Sequence, residues 1–314
     1  MSYVANVENW YGNKLETLPN VIYVDTGSPS PDGEGKVWQT AFHTIQAAID
    51  KVRYDSITGT FDYDEKDRMH YILIKPGHYN ITSYISFSGY NISIIGVGPG
   101  VPGKDYGVSI NYDGAVETTA VMAGSGAGLT LKNLHINVGA FAIPGIYLLG
   151  DNNLIENCVI DGDGATSTYG IYLSGLKGGS VRNCRISNFI TAGIGMVGGD
   201  NIYFIHADIS GNQIWAPTVA GAKGIYIPAS GTLVAYNAVI KDNFVDVYGG
   251  GATGKGIDID HNGRIFVDNN KVVTAGSGVG IEHAGLGVMA NEVSVNGTPA
   301  GDSSHSVVDD GTRG

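Results

Sequence analysis

The apolar and polar positions of this chain recur in a short motif that begins with glycine. The motif is Gly-Ile, followed in most copies by one variable and one apolar residue, and a polar residue, usually asparagine, comes later in each repeat. The pairs are Gly145 and Asn157, Gly170 and Asn183, Gly193 and His206, Gly224 and Asn237, Gly256 and Asn269, and Gly280 and Asn291. The interval within a pair is nearly constant, whereas the interval between successive glycines varies. This pattern indicates a solenoid whose coils stack on one side and bulge on the other.

Each repeat predicts one coil of three short strands. The apolar residues of Gly145-Ile-Tyr-Leu148 alternate with an outward residue, as in a half-buried strand. Leu154-Ile-Glu156 and Cys158-Val-Ile160 predict two further strands, and Asn157 lies at the corner between them, where asparagine tolerates left-handed backbone. We expect these corner residues to stand in one row. The chain is therefore predicted to be all-β, a right-handed parallel β-helix, with the handedness taken from βαβ crossovers.

The repeats divide the chain into three parts. Residues 1–20 lack periodicity and predict an N-terminal arm, while the Gly/Ser/Asp-rich residues 297–314 predict a flexible tail. Residues 21–296 are predicted to form one elongated β-helix domain. A capping helix at about 44–53 is expected to cover the open end of its core. Four apolar residues at helical spacing predict it, namely Ile45, Ala48, Ile49 and Val52.

Composition narrows the choice of partners. The net charge is −12, and only 15% of the 314 residues are charged. A chain this acidic, without a run of Lys or Arg, is not expected to bind nucleic acid. No stretch is long and apolar enough to span a bilayer, so no membrane partner is expected either. The N-terminus lacks the pattern of a signal peptide, which predicts synthesis in the host cytoplasm.

The two cysteines, Cys158 and Cys184, occupy the same position in successive repeats. Neighbouring parallel strands place Cβ atoms ~4.8 Å apart, which is longer than a disulfide prefers. The pair could have a functional role, as a disulfide or as half of a metal site. Alternatively, the two cysteines are small apolar residues that stack in the core. We expect free, buried thiols, and we predict no metal site and no cofactor.

Strand alternation places the residue after each Gly-Ile pair on the outer surface, in one row along the solenoid. The row contains Tyr147, Tyr172, Gly195, Tyr226, Asp258 and Glu282, and Asp260 lies on the same side. The tyrosines are candidate stacking platforms for a glycan, and Asp258, Asp260 and Glu282 are candidate catalytic acids. The alternative is an aromatic ladder that stabilises an exposed sheet, with acids that keep it soluble.

Two repeats are longer than the others, and their extra residues are assigned to about 211–223 and 244–255. Insertions at the same corner of adjacent coils would form a wall beside Tyr226. Trp215 and Tyr248, one in each insertion, are therefore further candidates for ligand binding. Alternatively, Trp215 covers a coil edge or packs against a neighbouring subunit. His206 is expected to be a hydrogen-bonded corner residue instead of a base or a metal ligand.

Four N-terminal segments follow one another in a characteristic order: Tyr23-Val-Asp25, Phe42-His-Thr-Ile-Gln-Ala-Ala-Ile-Asp50, Ile72-Leu-Ile-Lys-Pro-Gly-His-Tyr79 and Ile94-Ile-Gly-Val-Gly98. This order resembles the opening of the pectin-lyase-like right-handed β-helix superfamily. Within this superfamily the pattern is similar to β-helix repeat proteins of tailed bacteriophages and prophages. The resemblance covers about residues 20–296 and concerns the fold, which hosts both enzymes and virion proteins.

Signatures of the enzymatic branches are missing from the repeats. Gly-His-Gly and Arg-x-Lys of polygalacturonases do not occur, and Asp309-Asp310 lies in the tail. The resemblance therefore implies a structural virion protein of a tailed phage, of the head decoration, fibre or spike type, with glycan binding as an added role. It also implies assembly as a homotrimer and contact with other virion proteins. A polysaccharide-degrading hydrolase or lyase is the alternative, supported by the tyrosines and acids of the outer row.

Overall fold

The structure is a computed structural model that describes most of the repeat region. The described residues are 21–29, 35–58, 69–98, 107–114, 119–175, 177–196, 203–216, 220–228, 234–247, 253–260, 264–274, 279–283 and 288–296. The predicted arm at 1–20, the predicted tail at 297–314 and the candidate residue Tyr248 lie outside these residues.

The described chain contains short strands and one α-helix, α1 (Ile45–Thr58). A short 3-10 helix occupies Trp38–Thr40. The first thirteen strands are β1 (Val21–Val24), β2 (His70–Ile74), β3 (Gly77–Ile81), β4 (Ile85–Tyr90), β5 (Ile92–Gly96), β6 (Val108–Tyr112), β7 (Met122–Ala127), β8 (Thr130–Lys132), β9 (Leu134–Gly139), β10 (Ile146–Leu149), β11 (Leu154–Glu156), β12 (Val159–Gly162) and β13 (Tyr169–Ser174). The remaining strands are β14 (Ser180–Arg182), β15 (Arg185–Ser187), β16 (Ala192–Met196), β17 (Tyr203–Ile205), β18 (Asp208–Ser210), β19 (Gln213–Trp215), β20 (Lys223–Ile227), β21 (Val234–Lys241), β22 (Phe244–Asp246), β23 (Lys255–Ile259), β24 (Arg264–Val273), β25 (Val279–His283) and β26 (Val288–Asn296).

The strands stack into two parallel sheets, as a β-solenoid requires. We call the eight-stranded sheet face 1; its neighbours run β4, β7, β10, β13, β16, β20, β23 and β25. The 18-stranded sheet turns at a row of left-handed residues and forms two further sides. We call the side that contains β2, β5, β8, β11, β14 and β18 face 2. The side that contains β3, β6, β9, β12, β15, β19 and β22 is face 3. The predicted all-β parallel solenoid is confirmed.

The core is a set of apolar columns that run through the solenoid. The isoleucine of each Gly-Ile motif pairs with the next one, and all six are buried: Ile146, Ile171, Ile194, Ile225, Ile257 and Ile281. The register predicted for face 1 is therefore correct. The preceding glycines are required because a Cβ at Gly145 would collide with the buried side chain of Ile160. A Cβ at Gly170 would collide with that of Ile186 in the same way.

The corner residues form two rows, which corrects the single row expected from the sequence. Asn133, Asn157, Asn183, Gly211, Asp242 and Asn269 have left-handed backbone at the corner between faces 2 and 3. His206 and Asn237 also have positive φ values, but they align with each other at an earlier corner, where face 2 begins. Asn291 is a strand residue that pairs with Asp268. His206 lies at a corner, as predicted, and its side chain is exposed.

A polar column lies inside the solenoid next to the corner between faces 2 and 3. Cys158 and Cys184 are free and buried, as expected. The amide nitrogen of Cys184 donates to Asn212 Oδ1 over 2.9 Å. Asn212 Nδ2 in turn donates to Asn243 over 2.9 Å, and Asn243 Nδ2 donates to Asn270 over 2.8 Å. An asparagine ladder thus lies one residue after the corner and inside the core, where it satisfies buried backbone groups.

The predicted capping helix is present and longer than expected. Ala47 N donates to Thr44 Oγ1 over 3.2 Å, which makes Thr44 the N-cap. The four apolar residues predicted to face the solenoid are buried in its main core cluster. Gln46 exchanges two hydrogen bonds with the backbone of Ser86 on β4, so that the helix is fixed to the first strand of face 1.

Candidate functional site

Face 1 presents two outward rows instead of the single row predicted. Glycine and isoleucine of each motif both point inward, so the residues on either side of the pair both point outward. Tyr169, Ala192, Lys223, Lys255 and Val279, each of which precedes a motif glycine, are in register with one another. This second row stands beside the predicted row and supplies the groups that contact it.

Four tyrosines from the two rows form one continuous aromatic strip. Tyr147 and Tyr172 have ring centroids 5.8 Å apart, and Tyr172 stacks on Tyr169 with centroids 4.3 Å apart and an angle of 14°. The ring of Tyr169 lies over Gly195, where a Cβ would approach its Cε1 atom to 2.5 Å. The ring therefore fills the gap that Gly195 leaves in the row. The strip continues to Tyr226 on β20 and spans four adjacent strands, or roughly 14 Å at ~4.8 Å per strand.

Packing within this strip changes the acidity of its hydroxyl groups. Burial raises the pKa of Tyr169 to about 12, and the neighbouring Tyr172 and Tyr226 hydroxyls act in the same direction. Burial also raises the pKa of Tyr172, again with support from Tyr147 and Tyr226. All four side chains are half-buried. Each ring therefore keeps part of its surface accessible, which suits stacking and hydrogen bonding to a ligand.

The carboxylates follow the tyrosines along face 1, but Asp258 does not face solvent as predicted. Its side chain is 0% exposed. Lys223 Nζ lies 2.7 Å from Asp258 Oδ2, and Lys255 Nζ lies 3.1 Å from Oδ1. The prediction failed because alternation gives the direction of a side chain and not what covers it. The two lysines come from the neighbouring outward row and close over the carboxylate.

The other two candidate acids are more accessible. Glu282 is paired in register with Asp258, and Lys255 Nζ bridges the two by lying 2.7 Å from Glu282 Oε2. The Glu282 side chain is 43% exposed. Asp260 is half-buried, and desolvation together with the charge of Asp258 raises its pKa. The structure therefore brings the three candidate acids together, with two ammonium groups among them.

Trp215 lies on another side of the solenoid, which corrects the predicted wall beside Tyr226. Gln213–Trp215 is an ordinary face 3 strand, paired with Arg185–Ser187 on one side and Phe244–Asp246 on the other. The sequence assigned these residues to an insertion because His206 follows Gly193 at the same interval at which Asn183 follows Gly170. His206 belongs to the earlier corner, so part of the extra length lies before it.

Face 3 carries a cluster of a serine, a histidine and an aspartate, but its hydrogen bonds are not arranged as in a catalytic triad. His135 Nε2 lies 3.0 Å from Asp161 Oδ2, and Ser187 Oγ donates to Asp161 Oδ1. Burial raises the pKa of Asp161, but hydrogen bonds from His135 and Ser187 outweigh it and leave the pKa below its ordinary value. Nucleophilic catalysis requires the serine to donate to the histidine. Here the aspartate stands between them, so Ser187 is not activated.

Sequence reasoning missed three participants in face 1, namely Tyr169, Lys223 and Lys255. The signal was present, because each stands immediately before a motif glycine. Lys223 also lies over the ring of Tyr226, with its ammonium 3.2 Å from the ring centroid, so it joins the aromatic strip to the carboxylates. Among the described residues, no group of three or more His, Cys, Asp or Glu side chains is arranged to hold a metal ion. The α-helix found in these ranges is too short and polar to cross a membrane.

The fold and this surface define a parallel β-solenoid with an aromatic and carboxylate face. The sequence of residues 118–296, more than half of the chain, matches the family described as the right-handed β-helix region, and the chain belongs to that family. No protein of curated function matches the sequence.

Solved structures with a similar backbone include two lyases and a pectin methylesterase. A pectate lyase has a TM-score of 0.58 at 15% identity, and the match covers 88% of this chain and 69% of that one. A rhamnogalacturonan lyase has a TM-score of 0.54 at 14% identity, with 87% and 74% covered. A pectin methylesterase in complex with a hexasaccharide has a TM-score of 0.50 at 13% identity, with 90% of both chains covered. At these identities the likeness establishes the shared fold alone.

Proposed function

We propose that face 1 is a binding surface for an uncharged polysaccharide and that the chain binds this ligand without cleaving it. The observation that carries the proposal is the four-tyrosine strip that joins a neutralised carboxylate cluster through Lys223. Aromatic rings stack on the apolar faces of sugars, and the adjoining charged groups exchange hydrogen bonds with hydroxyls. Because the strip crosses four strands, the glycan lies along the solenoid axis.

The charges of face 1 favour a neutral ligand. Two ammonium groups face three carboxylates there, and both lysines are already engaged with Asp258 or Glu282. A uronic acid chain would find no unpaired cation among these groups and would meet an excess negative charge. A neutral sugar avoids this repulsion.

Asp258 is poorly placed to act as a catalytic acid or nucleophile. Its carboxylate is fully covered, and each oxygen is within ion-pair distance of a lysine. A general acid or nucleophile must reach the reacting atom within hydrogen-bond distance. The buried ion pairs hold Asp258 away from any ligand, so its role is to position Lys223 and Lys255.

Hydrolysis is the second candidate, and it rests on Asp260 and Glu282. A raised pKa at Asp260 beside an accessible Glu282 is the kind of pairing that glycosidases use. A test must therefore measure binding and cleavage together. A glycan array probed with the wild-type chain should give hits among neutral polysaccharides, and Tyr172→Ala should lose them at least tenfold. If Tyr172→Ala binds as wild type does, face 1 is not the site.

A place in the virion of a tailed phage is proposed from the four N-terminal segments that resemble phage β-helix proteins, together with assembly as a homotrimer. The chain would be a head decoration, fibre or spike component that contacts other virion proteins and carries the glycan-binding face. Mass spectrometry of purified particles, followed by immunogold electron microscopy, should find the chain on them. Sedimentation should give a trimer, and a monomer that persists at all concentrations would rule the trimer out.

A further inference from the structure

Face 3 carries a second aromatic cluster that the glycan site of face 1 does not use. Trp215 on β19 and Phe244 on β22 have ring centroids 6.0 Å apart at an angle of 54°. Both side chains are half-buried, so each ring leaves part of its surface open. Two rings on adjacent strands of an outer sheet surface form a platform for a planar or ring-shaped ligand.

Two cations bracket this pair of rings. The guanidinium carbon of Arg185 lies 5.0 Å from the Trp215 ring centroid, and Lys271 Nζ lies 5.7 Å from the Phe244 centroid. Arg185, Gln213, Phe244 and Lys271 stand in register on four successive strands, with Trp215 in the next row. The cluster therefore presents a positive group at each end of an aromatic platform.

These two cations differ from Lys132 of face 2 and from the two lysines of face 1, all three of which are in ion pairs. Lys132 pairs with Glu156 at 2.6 Å on face 2, and both lysines of face 1 are in ion pairs. Over the ranges in which side chains are described, neither Arg185 nor Lys271 lies within salt-bridge distance of a carboxylate, and both are exposed. Their charge is available to an anion that approaches the rings.

Two carboxylates also face this region. Asp161 is hydrogen-bonded by His135 and Ser187, and the positive charge of Arg185 also acts on it. Asp246 stands in register with Trp215 on the following strand. A ligand carboxylate is therefore directed to the Arg185 side of Trp215, away from Asp246, where a guanidinium can bind it in a forked geometry.

We propose that Arg185, Trp215, Phe244 and Lys271 form a second carbohydrate site, which takes an acidic sugar of an oligosaccharide. The sugar ring stacks on Trp215 and Phe244, and its carboxylate or sulfate group pairs with Arg185 or Lys271. This site is independent of face 1, since the two faces share no residue.

The test measures the affinity for an oligogalacturonate by calorimetry. The matched control ligand is the uncharged galactose oligosaccharide of the same length. Tyr172→Ala, which lacks the face 1 site, should bind the acidic oligosaccharide at least tenfold more tightly than the neutral one, and its affinity for the acidic one should fall as salt is raised. Trp215→Ala should weaken binding at least tenfold, and Arg185→Gln should weaken it severalfold and reduce the salt dependence. Tyr172→Ala on face 1 should leave this affinity unchanged, so a failure of the face 1 proposal is seen separately.

Three results would overturn the proposal. The first is equal affinity of Tyr172→Ala, which lacks the face 1 site, for the acidic and neutral oligosaccharides, and the second is a Trp215→Ala variant that binds the acidic one as wild type does. The third is tighter binding of a single-stranded oligonucleotide than of the oligosaccharide, if the same substitutions abolish that binding. Lys241→Gln, which removes a lysine from face 2, serves as the charge control and should bind like wild type.

Discussion

The ammonium group of Lys223 lies 2.7 Å from Oδ2 of Asp258, a carboxylate with no exposed surface. The same ammonium lies 3.2 Å from the centroid of the Tyr226 ring. One lysine thus connects the aromatic and the acidic halves of face 1. The buried carboxylate needs both lysines as partners, because an unpaired charge at that position would strongly destabilise the fold.

Replacement of Asp258 by asparagine should lower the free energy of unfolding by about 3 kcal/mol, since it leaves Lys223 and Lys255 with too little negative charge in a covered site. Glu282→Gln is the matched control. Its side chain is 43% exposed, and loss of its ion pair should cost only about 0–1 kcal/mol. Urea unfolding of both variants checks the difference, and equal losses would show that Asp258 is not held as described.

Ile225 tests the central column of the solenoid. Ile225→Asp should cost several kcal/mol, because it places an unpaired charge between Ile194 and Ile257. Ile225→Val, which removes one methylene, should cost only about 1 kcal/mol. Thermal unfolding followed by circular dichroism measures both. An aspartate variant as stable as wild type would mean that the register is wrong.

Gly195 tests the aromatic strip without removing a ring. In Gly195→Ala the new methyl group would meet Tyr169, whose ring must move away from the row. We expect weaker binding of neutral glycans and a fall in the pKa of Tyr169 from about 12, seen by spectrophotometric titration against Tyr169→Phe. Unchanged titration and binding would show that Tyr169 does not complete the strip. Loss of folding would instead appear in circular dichroism.

Asp161 predicts a dependence of stability on pH. Its pKa is lowered in the folded chain, since the hydrogen bonds from His135 and Ser187 outweigh burial. A lowered pKa means that the stabilisation is complete above the unfolded value of about 4 and is lost as the pH falls below it. Urea unfolding at pH 6 and pH 3 should show that Asp161→Asn removes part of the wild-type pH dependence. An unaltered dependence would contradict this account.

The features that follow directly from the repeat pattern and from helical spacing were predictable from the sequence. The column through Ile225 follows from alternation, and the helix after Thr44 follows from its spacing and its cap. The two rows of corners were not separable, because the same interval from the motif glycine leads to Asn183 in one coil and to His206 in the next. The cover over Asp258 was missed because it comes from lysines of a second outward row, on two adjacent coils, which alternation from the motif isoleucine does not include. Trp215 was misplaced for the same reason as His206.

The central claim is that face 1 binds a neutral polysaccharide and leaves it intact. The most direct measurement incubates the wild-type chain with the polysaccharide that it binds best and follows the appearance of new chain ends and shorter products by size-exclusion chromatography. The account predicts binding that Tyr172→Ala abolishes, with no change in ligand length over a long incubation. Shortening of the ligand by wild type that is lost in Asp260→Asn or Glu282→Gln would contradict it.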